Sequence, residues 1–460
     1  MRRGAAVAAG IAGRTTIASR DKLFFRLAYR PRALPSQGGG PRAPGVVKPA
    51  TRLVALGRAA AGEPGGTDFV NPPVQRGSTV LHADVADMRQ RVLRAAAGDD
   101  TGPVTYGIHG TPTHRAFLDA MTALEGGARS WALPSGLSAC TTAIMAFVRQ
   151  GDHILVPDSV YGPTRAFCDD TLARFGVATT YYDPCAGAEL AAQFRPQTRL
   201  LYLESPGSHT FEVQDLRLLA ALARTHGAVS VVDNTWATPL YCRPLELGVD
   251  VSVHAVTKYI GGHADLLLGT ITSNAAMVGP LRAIVRSLGL TTSPDDCWTA
   301  LRGLRTLEAR LERHRATAER LVAWLRKQPE VARVLYPPLP DDRGHALWQR
   351  DFSGATGLFG VALSADIPVA AVHALVDGMR LFGRGYSWGS FESLLIPSRA
   401  ARSLGAASLP EGLIRISAGM EDPDDLIADL QAGFARLRAA ASPRSEPFPQ
   451  AQGENTRKSP

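Results

Sequence analysis

The sequence predicts an α/β protein in which a large domain, built on a mostly parallel sheet with helices on both faces, is followed by a smaller C-terminal α/β domain. Two observations carry this reading. Short apolar runs at 153–156, 177–181, 200–203, 229–232, 251–253 and 270–272 alternate with helical stretches such as 216–226, whose Leu/Ala spacing is about 3.6 residues. After Arg302-Gly303 the pattern changes to a long amphipathic stretch carrying Leu304, Leu307, Leu311, Ala318, Leu321 and Leu325, ended before Pro329, which sets a domain boundary near residue 303. A chain of 460 residues with 45% hydrophobic content is long enough for two cores.

In chain order, residues 1–50 are rich in Ala, Arg, Gly and Pro, and their SQGGGPRAPG segment argues against a packed core, so a disordered basic extension is expected. From Asn71-Pro72-Pro73 through Leu81 the chain is extended and turn-rich, which suits an arm, residues 51–110, lying on a neighbouring subunit. Thr111-Pro112-Thr113 opens a helix with a cap and an early proline; Phe117, Leu118, Met121 and Leu124 continue it and Glu125-Gly126-Gly127 stops it. Pro134 to Ser138 leads into a second helix ending near Gly151. Its free N-terminal amides suit a phosphate, although an ordinary serine-capped helix has the same sequence. The large domain thus spans 111–303. The smaller one, 304–440, mixes strands at 357–363 and 413–417 with helices at 369–377 and 424–437, and residues 441–460 are a polar, proline-rich tail.

The formal charge of +8 is unevenly placed: residues 1–50 hold ten Lys/Arg against the single acid Asp21, leaving −1 on the other 410 residues. A nucleic-acid partner would rest wholly on the extension, and none is expected for the body. Two other readings of the extension compete: a mitochondrial transit peptide, and a start placed upstream of a natural beginning nearer Thr51. No apolar run is long enough to span a bilayer, so no membrane partner is expected. The five cysteines form neither a Cys-x-x-Cys pair nor a Cys/His cluster with zinc spacing. A reducing, cytoplasmic compartment, no metal and small core roles, Cys140 among them, are expected.

The chemistry gathers at two strand ends. Val251, Val253 and Val256 lead to Lys258, and the run 228–232 leads to Asp233, so one strand end presents an amine and another a carboxylate. Such a pair suits pyridoxal phosphate, with the lysine bound covalently and the aspartate on the pyridine nitrogen. By itself it equally suits a buried salt bridge.

Wider context favours the cofactor. AVSVVDNTWATPL followed by DVSVHAVTKYIGGHAD resembles the core of the Cys/Met-metabolism family of pyridoxal-phosphate enzymes. YGIHGTPTH (106–114), PSGLSA (134–139), YGPT (161–164), LESPGS (203–208), YSWGSFESL (386–394) and IRISAGMED (414–422) agree in order. The resemblance covers residues 52–437 and implies the fold type I, aspartate aminotransferase-like architecture, pyridoxal 5'-phosphate as cofactor, a homotetramer made of two active dimers, and a chain start near TRLVALGR. It also implies roles. Lys258 is the Schiff-base lysine and proton carrier, Asp233 the pyridinium partner and Tyr161 the stacking aromatic. Gly136, Leu137, Thr257 and a neighbour's Tyr106 bind phosphate, Tyr106 also facing substrate, while Arg415 clamps the substrate carboxylate.

Departures matter too. Ile108 stands where the family usually has a phosphate-binding arginine, and Ala255 where a small hydroxyl residue often precedes the Thr-Lys pair. ESPGS and Tyr386-Ser387-Trp388 resemble the cystathionine β-lyase branch, with Ser387 and Trp388 shaping the substrate pocket, while Ser390 and Phe391 depart mildly from it. The resemblance therefore implies β-elimination of a sulfur amino acid, L-cystathionine first. γ-Elimination, γ-replacement and cysteine or cystine desulfhydration are the alternatives within the family. An inactive homologue is disfavoured by the joint presence of Lys258, Asp233, Tyr161 and Arg415.

Overall fold

The computed structural model describes residues 48–57, 69–98, 102, 104–404 and 412–442; the basic extension up to residue 47 and the tail from 443 lie outside the described residues. Its larger sheet has seven strands: β1 (Arg129–Leu133), β2 (His153–Pro157), β3 (Ala178–Tyr182), β4 (Thr198–Glu204), β5 (Val229–Asp233), β6 (Val251–Ala255) and β7 (Gly269–Ser273), in the order β1-β7-β6-β5-β4-β2-β3. Strands β3, β2, β4, β5 and β6 run parallel, while β7 is antiparallel to β6 and β1 to β7. A second, antiparallel sheet contains β8 (Val331–Leu335), β9 (Leu358–Leu363), β10 (Leu394–Pro397) and β11 (Leu413–Ser417), in the order β10-β11-β9-β8.

Central strands read as continuous apolar runs because both faces are covered. Ile154, Val156, Tyr202, Val231 and Val253 pack on one side with the helix Gly136–Met145, and Leu155, Leu201, Leu203 and Val232 belong to a cluster that continues into the second sheet. The helix Leu307–Leu325 spans two clusters, with Leu307 and Leu311 in one and Leu321 and Leu325 in another. Each such leucine contributes about 1.5–3 kcal/mol by leaving water.

Several boundaries differ from the sequence expectation. The second helix ends at Met145, short of Gly151, and the segment after residue 303 is split between two helices: Leu304 lies in the last turn of Pro294–Arg305, and the next begins at Leu307. Within the arm, residues 71–81 hold no helix, in line with the extended stretch expected there. A helix at Pro49–Ala55 buries Leu53 in the chain's own core, and Arg305 donates to the Leu53 and Val54 carbonyls, so this part serves its own body. A further helix, Val85–Ala96, is capped by the Asp84 side chain and buries no residue, leaving Leu93 and the preceding Leu81 exposed.

Candidate active site

The parallel strands deliver three ionisable groups at their carboxyl ends, the place where open α/β sheets hold ligands. Asp233 ends β5, and Glu204, at the end of β4, is its direct register partner. Lys258 lies three residues beyond β6, in a turn closed by Lys258 N–H to Ala255 O (3.0 Å) and Gly261 N–H to Val256 O (2.7 Å). Buried Arg310 secures that turn from the long helix, donating to the carbonyls of Tyr259 (2.6 Å) and Gly303 (2.8 Å).

These groups line a cavity of about 220 Å³ together with Gly136, Leu137, Tyr161, Thr257, Trp388 and Arg415. Lys258 Nζ donates to Ser387 Oγ at 2.7 Å and stands 5.4 Å from the centre of the Trp388 ring. Burial, reinforced by the Arg415 charge and opposed by Asp233, pulls its ammonium down to about 8. Arg415, on β11, donates to the Ser387 carbonyl (3.0 Å), and burial lowers it to about 10. The Trp388 ring rests on buried Tyr259, centroids 5.4 Å apart. All of the sequence-predicted site residues except Tyr106 and Ser387 line the cavity, and Ser387 touches its lysine.

The residues suit pyridoxal phosphate. Asp233 turns Oδ1 to the Thr235 amide and hydroxyl, yet makes no salt bridge among the described residues, which leaves its carboxylate available to a cationic ring nitrogen. Gly136 opens a ten-residue helix whose N-cap is Ser135. A Cβ there would sit 2.4 Å from the Ala255 Cβ, so the amide-bearing end of the helix is pressed onto the end of β6. Ala255 is thus the packing partner of Gly136, and a side chain at position 136 would push this helix end off β6. Thr257 Oγ1 lines the same cavity while exchanging hydrogen bonds with the Leu268 carbonyl (3.3 Å) and amide (3.1 Å).

Tyr106 stands apart. It bridges to Thr79 and is half-exposed beside Gly77 and Thr291, outside the cavity of its own chain, as is Ile108.

Sequence reasoning missed Glu204, and placed Cys140 in the core alone. The Glu204 carboxylate accepts the Tyr161 amide at 2.7 Å, and burial beside Asp233 pushes it up to about 8. Its position at a strand end, like that of Asp233, was the available signal. Cys140 is buried in the core but also faces the cavity, 3.7 Å from Asp233 Oδ2, and burial raises its thiol well above its usual range. Helical periodicity does not distinguish a side chain facing a ligand cavity from one facing apolar neighbours.

A family model described as Cys/Met metabolism PLP-dependent enzyme matches residues 50–435. A relative in Rhizobium johnstonii is 48% identical over 375 residues, covering 81% of this chain and 92% of the relative. The cystathionine beta-lyase of Salmonella typhimurium is 40% identical over 394 residues, covering 84% of this chain and 98% of its own. Among solved structures, a cystathionine gamma synthase from Xanthomonas oryzae in complex with cystathionine superposes with a TM-score of 0.76 at 32% identity, covering 85% of this chain and 98% of that one.

Proposed function

Because the chain belongs to the Cys/Met metabolism family of pyridoxal-phosphate-dependent enzymes, we propose that it is a carbon-sulfur lyase splitting L-cystathionine by β-elimination into homocysteine, pyruvate and ammonia. The observation that carries this is the convergence of Lys258, Asp233 and Trp388 on one cavity. When bound, the cofactor supplies an electron sink for the pair released at Cα.

The chain's own residues do the rest. Asp233 would keep the pyridine nitrogen protonated, the Gly136 and Leu137 amides and the Thr257 hydroxyl would hold phosphate, and Tyr161, its backbone anchored by Glu204, would cover the ring. Arg415, steadied by the Ser387 carbonyl, grips the α-carboxylate through two parallel bonds and so orients the Cα–H bond. Lys258, released as a free amine when the substrate's amino group displaces it, removes the Cα proton; the Cβ–S bond breaks; Lys258 returns that proton to sulfur, and one water turns the three-carbon remainder into pyruvate and ammonia. Trp388 and Ser387 narrow the space beyond Cβ, which favours β over γ chemistry.

A homotetramer of paired active dimers fits the exposed helix Val85–Ala96 and the position of Tyr106, which a second copy would bring to a neighbouring cavity. A cytoplasmic location fits five free thiols.

Incubation with L-cystathionine tests the reaction. Pyruvate with homocysteine is expected, and Lys258→Ala should lower turnover by about 10²–10⁴-fold and remove the visible band of the covalently held cofactor. Release of 2-oxobutyrate with cysteine would replace the β-lyase by a γ-lyase, and full activity in Lys258→Ala would overturn the assignment.

A further inference from the structure

The loop after β4 carries a residue that the mechanism above leaves unused. His209 has φ 65° and Phe211 φ 61°, the left-handed region that costs a non-glycine residue about 1 kcal/mol or more, and both side chains line the cavity. The loop is held in this shape by Gly207 N–H to Glu212 O (2.9 Å) and Phe211 N–H to Gly207 O (3.1 Å). A glycine opposite admits it: a Cβ on Gly360 would meet the His209 carbonyl and the Phe211 ring, each at 3.2 Å. Gly360, on β9, is the register partner of Arg415 on β11.

From there the imidazole reaches across β11 to Ser398, whose Oγ lies against Nδ1 and whose amide donates to Leu413 O (2.7 Å). Gly360, Arg415 and Leu413 share one face of this antiparallel sheet, so the ring crosses beside the Arg415 side chain. Ser398 Oγ and Nδ1 share one hydrogen bond, and with the hydroxyl as its donor the ring proton lies on Nε2. Nε2 has no partner among the described residues. Burial, with the Arg415 charge adding to it, holds the ring down to about 4, so it is a neutral donor at physiological pH.

We infer that His209 is a second carboxylate-binding residue: its Nε2–H donates to the α-carboxylate of the substrate beside the Arg415 guanidinium. A carboxylate has lone pairs for a two-pronged arginine and one further donor, and the guanidinium, tied back to Ser387, leaves that further place open. The inference rests on the reading of the cavity as an amino-acid site.

The test titrates holoenzyme with glycine and with methylamine, its decarboxylated counterpart, following the cofactor spectrum. His209→Leu keeps the bulk and removes the donor; His209→Gln keeps an N–H near the place of Nε2. His209→Leu is expected to weaken glycine binding about tenfold or more, the size of one charge-assisted hydrogen bond, without moving methylamine, and His209→Gln to restore most of the loss. Unchanged preference for glycine over methylamine in His209→Leu would overturn the inference, as would equal losses in both variants, which would mean that the ring merely supports the loop. If wild-type holoenzyme showed no response to glycine, the amino-acid reading of the cavity would fall, and this inference with it.

Discussion

Lys258 Nζ and Ser387 Oγ, 129 residues apart in sequence, are joined by a 2.7 Å hydrogen bond. Ser387 has φ 81°, and its carbonyl accepts from Arg415 at 3.0 Å. One residue thus ties the amine to the guanidinium.

Loss of that hydroxyl should be visible in the pH profile. Ser387 Oγ accepts from the charged ammonium and so favours it; without this bond the Lys258 value, already lowered to about 8, falls further. The acid limb of the kcat profile of Ser387→Ala should move to lower pH by roughly one unit. A limb that stays in place would show that the bond does not persist during turnover.

Glu204 predicts an effect on stability. Its carboxyl is raised from the ordinary 4.5 to about 8 by burial and by Asp233, its cross-strand partner. The folded chain therefore keeps a proton that the unfolded chain releases, and the stabilisation present below pH 4.5 fades as pH rises towards 8. Glu204→Gln, which still offers an oxygen to the Tyr161 amide, should leave the cofactor-free protein's stability little changed at pH 5 and raise it at pH 9 by about 3–5 kcal/mol. Thermal denaturation at the two pH values measures the difference, and an equal effect at both would show that Glu204 is ionised throughout.

Tyr106 predicts complementation between subunits. Mixed oligomers of Lys258→Ala and Tyr106→Phe chains contain cavities with an intact lysine from one chain and an intact tyrosine from the other, if Tyr106 serves a neighbour. Co-refolded mixtures should then exceed either parent in turnover. Activity no greater than the mean of the parents would place the function of Tyr106 elsewhere.

Much of the large sheet was legible because strands buried on both faces must be apolar throughout. The runs at 153–156, 200–203 and 229–232 all lie inside observed strands. β1 was not foreseen: Arg129–Leu133 follows a glycine pair, holds an arginine and a serine, and pairs only with β7, so its pattern is that of a loop until the partner is known. β10 was missed for a similar reason, being four residues long at a sheet edge. The breakpoint at Thr306 was invisible because Leu304 and Leu307 keep helical spacing across it.

By itself the sequence determined the alternating α/β architecture and the lysine and aspartate at strand ends, since periodicity and strand termini are local properties written in consecutive residues. Tertiary structure alone decided that Glu204 faces Asp233, that Ala255 packs on Gly136, that Ser387 meets Lys258, and that His209 and Arg415 line one cavity. Each of these depends on the register of two strands or the approach of distant loops, and such contacts arise only when non-local pairing brings together residues whose separate neighbourhoods carry no sign of one another.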